Sequence, residues 1–269
     1  MTTTELGVTT GEIRLSTVEF DVLWEHLGLG EIPLVLKVPS PGRTRGERAE
    51  LVERAWRSLS QRDLGRPTGL NSELDRLLRL LVRPQREIDG RLWIRLRSFR
   101  LLVAASGADA VFATLADDQI TLRPAESSGL VREALSPLPQ GPAGPGESVT
   151  LPSADLEAAA AESETPEDFE RRLCERGVRH RDAAALRTMV TNARRQGQFG
   201  AAARDRWGRR SRAGRVVSFF DNPKGRYLQM RRVAPSGEAW STISPADHRL
   251  LLTQLADLLT EVETDANAR

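Results

Sequence analysis

The amino-acid sequence predicts an α+β fold in which a pseudo-two-fold duplicated unit forms a central antiparallel sheet flanked by helices. The first observation is a repeated opening: a short alternating strand, a hydroxyl residue and an acidic first helical turn occur at 13–21 and again at 149–157. The second is the grouping of strands and helices, which do not alternate along the chain. The third is the segment 136–147 between the copies, whose four prolines and three glycines exclude helix and strand interiors.

These observations divide the 269 residues into a first repeat at 10–135, a Pro/Gly linker at 136–147 and a second repeat at 148–262. We expect one domain whose halves superpose, with their sheets continuous or closely packed. The composite surface where the halves meet is then the natural place for a function.

In the first repeat the hydrophobic pattern predicts helices followed by a meander of strands. Capping-box spacing at Ser16 and Thr44 marks the start of two helices, and Pro84 ends a third. The hydrophobic period changes to two at Ile88. The expected elements are a strand at 12–16, helices at 17–28, between Thr44 and Gly65 and around 74–81, strands at 88–97, 100–105, 110–115 and 119–123, and a helix at 126–135.

The second repeat has the same order. The expected elements are a strand at 147–151, a helix after Ser153, a helix from Thr165 to Gly177, a helix capped by Asp182, strands at 197–206, 215–221, 225–232 and 239–243, and a last helix capped by Asp247. Thr165 precedes a proline at the first helical position, which favours a helix start. We expect residues 263–269 to be frayed.

Composition favours a cytoplasmic protein without membrane insertion. Lys and Arg total 39 against 37 Asp and Glu, and Lys37 and Lys224 are the only lysines, so the positive charge is almost entirely arginine. Cys174 is the single cysteine, which excludes a disulfide framework. The sequence contains no signal-peptide pattern and no apolar run near the ~18 residues that a spanning helix needs.

Catalytic and metal-binding motifs are missing from the sequence. His26, His180 and His248 have no second ligand at metal spacing, and neither a Gly-x-Ser-x-Gly elbow nor a phosphate-binding glycine motif occurs. Cys174 lies beside Leu173 on an expected helix, where a buried small hydrophobe is the ordinary role. We therefore predict no catalytic residue, no metal and no cofactor.

The segment Arg194–Arg215 contains eight arginines and one aspartate. Arginines with Trp207 are typical of a nucleic-acid surface, but the same composition also suits a solvated hairpin. A third interpretation rests on 200–203, where very small side chains leave a flat patch for another chain's backbone.

Four phrases of the sequence occur together in a recognisable order: Leu80–Asp89 (LLVRPQREID), Gly197–Arg206 (GQFGAAARDR), Gly208–Arg212 (GRRSR) and Phe220–Leu228 (FDNPKGRYL). Together they resemble the EspG family of ESX (type VII) secretion-associated proteins of actinobacteria. The resemblance covers about 10–260 and implies a pseudo-two-fold α+β fold. It also implies a non-enzymatic cytosolic chaperone that binds helical secretion substrates, PE/PPE-like or WXG100-like heterodimers, through its central sheet and C-terminal helices. The alternative is an Arg-rich nucleic-acid-binding or regulatory protein.

The alternating segment 88–97 supplies the candidate contact surface. Ile88, Leu92 and Ile94 fall on one face of the expected strand, while Trp93 lies among charged residues on the other. Such a tryptophan is either an anchor for a partner or part of a core covered from both sides, and the sequence leaves both open. The predicted partner-binding residues are Trp93, Arg95, Arg97, Phe199, Arg204, Arg206 and Arg231, together with the last helix. We expect a monomer or a weak homodimer.

Overall fold

The computed structural model describes residues 11–94 and 97–268. The elements of the first half are β1 (Ile13–Ser16), α1 (Thr17–His26), α2 (Arg45–Gln61), β2 (Gly65–Arg66), β3 (Gly69–Leu70), α3 (Ser72–Leu80), β4 (Arg86–Ile94), β5 (Arg97–Ser106), β6 (Asp109–Ala116), β7 (Gln119–Glu126) and α4 (Leu130–Leu135). Those of the second half are β8 (Val149–Pro152), α5 (Ser153–Glu162), α6 (Pro166–Glu175), α7 (His180–Val190), β9 (Arg195–Arg204), β10 (Arg210–Arg212), β11 (Val217–Asn222), β12 (Gly225–Val233), β13 (Ala239–Pro245) and α8 (His248–Asn267).

One large antiparallel sheet runs through both halves in the order β1-β7-β6-β5-β4-β9-β11-β12-β13-β8, with β10 paired to β9 beside β11. In each half the opening strand lies at the outer edge beside the last strand of the meander, and the two halves meet where β4 pairs with β9. The predicted α+β class, with a central antiparallel sheet flanked by helices, is confirmed. The symmetric strand order is the one that a duplication gives, and the superposition of the halves stays a prediction.

Helices cover the two faces of the sheet differently. On one face, the covered face, α4 and α8 pack across the centre in a core that includes Leu101, Phe199 and Phe219. On the other, the open face, α1 to α3 pack over β5 to β7 while α5 to α7 pack over the strands of the second half. The centre of the open face, formed by β4 and β9 between these two groups of helices, is called the trough below. The residues of β4 and β9 that face the trough are Glu87, Asp89, Arg91, Trp93, Gln196, Gln198, Gly200, Ala202 and Arg204.

Local sequence signals set most helix starts. Ser16 and Thr44 each accept from the backbone three residues on and complete their capping boxes, and Thr165 and Asp247 cap α6 and α8 in the same way. Ser153 does not cap, because it is the first residue of α5 and the cap position is Pro152; its hydroxyl is hydrogen-bonded to that of Ser241.

Two local predictions are wrong, and three short strands were not predicted. Asp182 does not cap a helix: α7 begins at His180 after Arg179, and Asp182 lies in its first turn. The end of α8 is not frayed, because the helix continues to Asn267 with Ala266 buried against the sheet. The short strands β2, β3 and β10 were not predicted, since two or three residues carry no readable period.

The Pro/Gly linker packs along the start of β12. The backbone N–H of Arg226 donates to Pro142 O, and Gly144 N–H donates to Arg226 O, both at 3.0 Å. The hydroxyl of Tyr227 donates to Pro145 O at 3.1 Å, and the Arg226 guanidinium donates to Pro139 O at 3.1 Å. The linker is thus fixed to the second half by main-chain and side-chain hydrogen bonds.

We expect Gly144→Ala to lower the free energy of unfolding by about 1–3 kcal/mol, since its added methyl group would overlap the Tyr227 ring. Gly141→Ala is the matched control, because nothing lies within 4 Å of the methyl group it would add. Urea unfolding of both variants measures the difference. Equal stability of the two variants would show that the linker moves aside at no cost.

Candidate functional site

The register of β4 and β9 decides which side chains reach the trough. Trp93 pairs with Gln196 and Arg91 with Gln198, and directly paired residues in antiparallel strands point to the same face. The neighbouring strands add hydroxyl and amide groups in the same rows. These are Ser98 on β5, Ser218 on β11 and Gln229 on β12.

The end of the trough at Trp93 has an uncharged floor. Trp93 is 44% exposed. With the hydroxyl and amide side chains around it, the indole borders a depression of about 390 Å³, and among the described residues Arg91 is the one charged residue that lines the depression. The interpretation of Trp93 as a core residue is therefore wrong, because no α-helix among residues 11–94 and 97–268 covers the Trp93 side chain on the open face. An exposed aromatic ring in an uncharged hydrogen-bonding surface has the composition of a protein-interface centre.

The middle of the trough is filled by ion pairs from β10. Arg210 Nε donates to Glu87 Oε1 at 2.7 Å, and Arg212 Nη2 donates to Asp89 Oδ1 at 3.0 Å. Gly200 makes room for the second pair, since a methyl group there would overlap the Arg212 guanidinium. These pairs neutralise both carboxylates, so they shape the trough without charging it.

Small side chains at 200–203 therefore have an internal cause. Ala201 and Ala203 are buried on the covered face, where α8 packs closely over β9. Gly200 lies under Arg212 on the open face. The expected flat patch for a foreign backbone is wrong, because α8 and β10 already occupy both sides of the strand.

One wall of the trough is the segment 30–42 between α1 and α2. Trp24 Nε1 donates to Gly30 O at 2.9 Å and fixes the start of the segment, while Val35 and Leu36 are buried beneath it. Leu34 is left 71% exposed at the rim. Between this wall and the sheet lies a cavity of about 1150 Å³, and its open shape and charged lining differ from the enclosed apolar pockets that hold small molecules.

The predicted partner-binding residues do not form one surface. Arg95 lies outside the described residues. Arg97 is on the covered face, opposite Trp93, because β4 and β5 meet at the pair Ile94–Arg97 and paired residues share a face. Phe199 is 0% exposed and stacks on Phe219 in the core. Both placements correct the prediction that Trp93, Arg97 and Phe199 act together.

The remaining predicted arginines are spread along the sheet. Arg204 faces the far end of the trough, donates to Gly208 O at 3.0 Å and has a pKa lowered by burial. Arg206 lies in the turn after β9 with its guanidinium 4.0 Å from the centre of the Trp207 ring. Arg231 is exposed on β12, on the open face. Trp93, Arg204 and Arg231 thus share a face, and Arg206 lies outside it.

The uncharged part of the trough is not among the predicted contact residues. It contains Gln196, Gln198 and Gln229, and an isolated glutamine in a sequence carries no functional signal. Gln196 and Gln198 are two residues apart on β9, and Gln229 on β12 lies in the same row as Gln198 through Ser218, so the three side chains share a surface beside Trp93. The alternation of side chains along a strand, which identified the face of Trp93, also predicts that Gln196 and Gln198 share one face.

Other chemical groupings give no catalytic arrangement. Among the residues that the structure describes, no group of three or more His, Cys, Asp and Glu side chains is placed to hold a metal ion. Cys174 Sγ lies 3.8 Å from His180 Nδ1 on an exposed part of α6 and α7. No helix within 11–94 or 97–268 combines the length and the apolar character needed to cross a bilayer.

Comparison with known proteins agrees with this geometry. The model of the EspG family matches residues 16–257, which is most of the chain. The chain belongs to the EspG family. The resemblance found in the sequence phrases is therefore confirmed.

A solved EspG structure has the same fold. The type VII secretion system chaperone EspG5 of Mycobacterium tuberculosis, solved in complex with a PE25–PPE41 dimer, aligns with a TM-score of 0.68. The alignment covers 93% of this chain and 96% of that chain at 16% sequence identity. Among curated proteins, none matches the sequence at a significant level.

Proposed function

We propose that this EspG-family protein is a cytoplasmic chaperone of type VII secretion that binds a helical PE–PPE-like heterodimer and keeps it soluble before export. The observation that carries the proposal is the trough, in which Trp93 lies exposed among hydroxyl and amide side chains with no α-helix of the described part of the chain over it. EspG5, which has the same fold, was solved with a PE–PPE dimer bound. The role is binding rather than catalysis.

The trough suits the end of a helical protein better than a small ligand. Helical layers rise on both sides of it, so a partner that enters between them reaches the sheet directly. An aromatic anchor surrounded by amide and hydroxyl groups combines an apolar contact with a polar rim, which is the anatomy of a protein interface. Covering an apolar substrate tip in this way removes a patch that would otherwise self-associate.

The alternative, nucleic-acid binding through Arg194–Arg215, has less support. Most arginines of this segment already pair with carboxylates of the same chain. The pairs are Arg195–Asp221, Arg209–Asp205, Arg210–Glu87, Arg212–Asp89 and Arg215–Glu261. The Trp207 ring is also covered by Arg206 and Arg209 rather than free to stack on a base. Few cations are left for phosphates.

Co-expression with PE–PPE pairs from the same genome tests the proposal. We expect one pair to form a stable complex and to become more soluble when the chaperone is present. Between about 50 and 200 mM salt its affinity should change little, because buried area supplies most of the binding energy, whereas six phosphate contacts would lose about a thousandfold. Capture of WXG100-like pairs alone would change the substrate class. Tight, salt-sensitive binding to DNA or RNA without a helical partner would overturn the proposal.

A further inference from the structure

We propose that the trough recognises its partner through a carboxylate side chain that the partner places against Arg91 and Arg100, beside Trp93. The inference rests on the proposed function, since it names the chemistry by which the trough selects a protein partner. It predicts an Asp or Glu on the partner surface next to the group that covers the Trp93 indole.

Two arginines face each other at this point of the sheet. Arg91 on β4 and Arg100 on β5 are a directly paired cross-strand couple, an arrangement that is destabilising for like charges. Arg91 is exposed, and Arg100 is half-buried beneath the segment 30–42. Burial lowers the pKa of Arg100, and the charge of Arg91 lowers it further. Lys37, whose carbonyl accepts from Arg100 Nη1 at 3.3 Å, adds a third cation in the same segment.

Arg91, Arg100 and Lys37 differ from the other cations that line the trough in their ion pairing. Within the described part of the chain, no carboxylate lies within ion-pair distance of Arg91, Arg100 or Lys37. The next two residues of β4 on the same face, Asp89 and Glu87, do have counter-charges. Each forms an ion pair with an arginine of β10. An arginine pair left uncompensated beside neutralised rows is a site that a partner can complete with a charge-assisted hydrogen bond.

The surroundings favour one carboxylate over a phosphate chain. On one side of the arginine pair the floor is uncharged, with Trp93, Gln196 and Gln198. On the other side lie the carboxylates of Asp89 and Glu87. A polyanion would need positive charge along its whole length, whereas these carboxylates are already paired with Arg210 and Arg212 and leave no net positive charge beside the arginine pair. A single acidic side chain on an otherwise apolar or amide-rich protein surface fits the confined positive spot.

The affinity of the co-expressed PE–PPE pair for charge variants tests the proposal. Arg91→Glu and Arg100→Glu should each weaken binding about 30-fold or more, because a partner carboxylate would then face a like charge. Arg66→Glu is the control, since Arg66 is exposed on β2 and lines neither the depression at Trp93 nor the cavity beside the segment 30–42. Replacing the matching partner acid by Arg should restore binding to Arg91→Glu. If both trough variants bind within about threefold of the wild type, the carboxylate proposal is wrong while the chaperone function stands.

A second measurement does not depend on the partner. Arg91→Gln removes the repulsion within the free protein, so its Tm should rise by about 1–2 °C, whereas Arg66→Gln should leave it unchanged. A fall in Tm would mean that Arg91 is compensated within the chain and would overturn the inference. If the wild type binds no PE–PPE pair, the proposed function fails and the inference falls with it. Loss of RNA or DNA binding in Arg91→Glu, with PE–PPE binding unchanged, would assign the pair to phosphate.

Discussion

Replacing Trp93 by Ala should weaken the complex with a PE–PPE pair by about 2 kcal/mol or more, roughly 30-fold in Kd, with almost no loss of stability. Aromatic residues at the centre of an interface dominate its energy because they bury a large rigid surface. The Trp93 indole is already 44% exposed in the free protein, so its truncation removes little packing there.

Trp240→Ala is the matched control for Trp93→Ala. Trp240 is similarly exposed at 37%, but it lies on β13, its indole N–H donates to Glu238, and its side chain points to the covered face. Calorimetric titration of both variants, together with urea unfolding, separates binding from folding. A loss of about 3–5 kcal/mol in the stability of Trp93→Ala would instead identify a core residue, and equal effects of the two variants on binding would remove the trough from the interface.

The sequence period predicted the strands well because each meander strand has one apolar face. It also placed Trp93 correctly, since alternation along β4 requires no knowledge of distant elements. The same alternation gave the wrong face for Arg97. The prediction treated 88–97 as one strand, but β4 ends at Ile94 and Arg97 is the first residue of β5. A period of two holds only while a strand lasts, so a hairpin turn resets which side chains share a face.

The electrostatics of the trough could not be read from the sequence. Glu87 and Arg210 are 123 positions apart and meet only because β4, β9 and β10 lie side by side. The sequence of Arg194–Arg215 suggests a basic surface because the carboxylates that pair with its arginines are mostly far away in the chain. In the folded protein most of these arginines form ion pairs. A run of like charges in the sequence therefore does not give the charge of the folded surface, which also depends on the oppositely charged side chains that the fold brings near.

The Pro/Gly linker is another part of the fold that the sequence predicts only partly. Its prolines and glycines predicted irregular structure, but nothing in them indicates that Arg226 on β12 holds the segment in place. Arg226 is 1% exposed, and its Nε donates to Asp221 Oδ1 at 2.7 Å. The guanidinium also donates to Pro139 O and lies 5.3 Å from the centre of the Phe219 ring. One buried ion pair thus connects the linker to the second half of the sheet.

Asp221→Ala should lower the free energy of unfolding by about 3–5 kcal/mol, the largest stability effect that we expect from a single substitution. The variant leaves the Arg226 guanidinium buried without its counter-charge, and Arg195 loses a carboxylate 3.6 Å away. The cost arises mainly from the unpaired charge rather than from the lost attraction. Urea unfolding at neutral pH measures it.

Asp109→Ala is the control, because Asp109 forms its ion pair with Arg76 on the surface, where the expected loss is at most about 1 kcal/mol. The double variant Asp221→Ala, Arg226→Met should recover part of the loss, since it removes both buried charges. If the double variant is less stable than Asp221→Ala, Arg226 stabilises the protein mainly through Pro139 O and the linker, and the charge argument is wrong. Limited proteolysis near Pro142 separates the two causes, because only loss of the linker contact exposes that peptide to cleavage while the sheet stays folded.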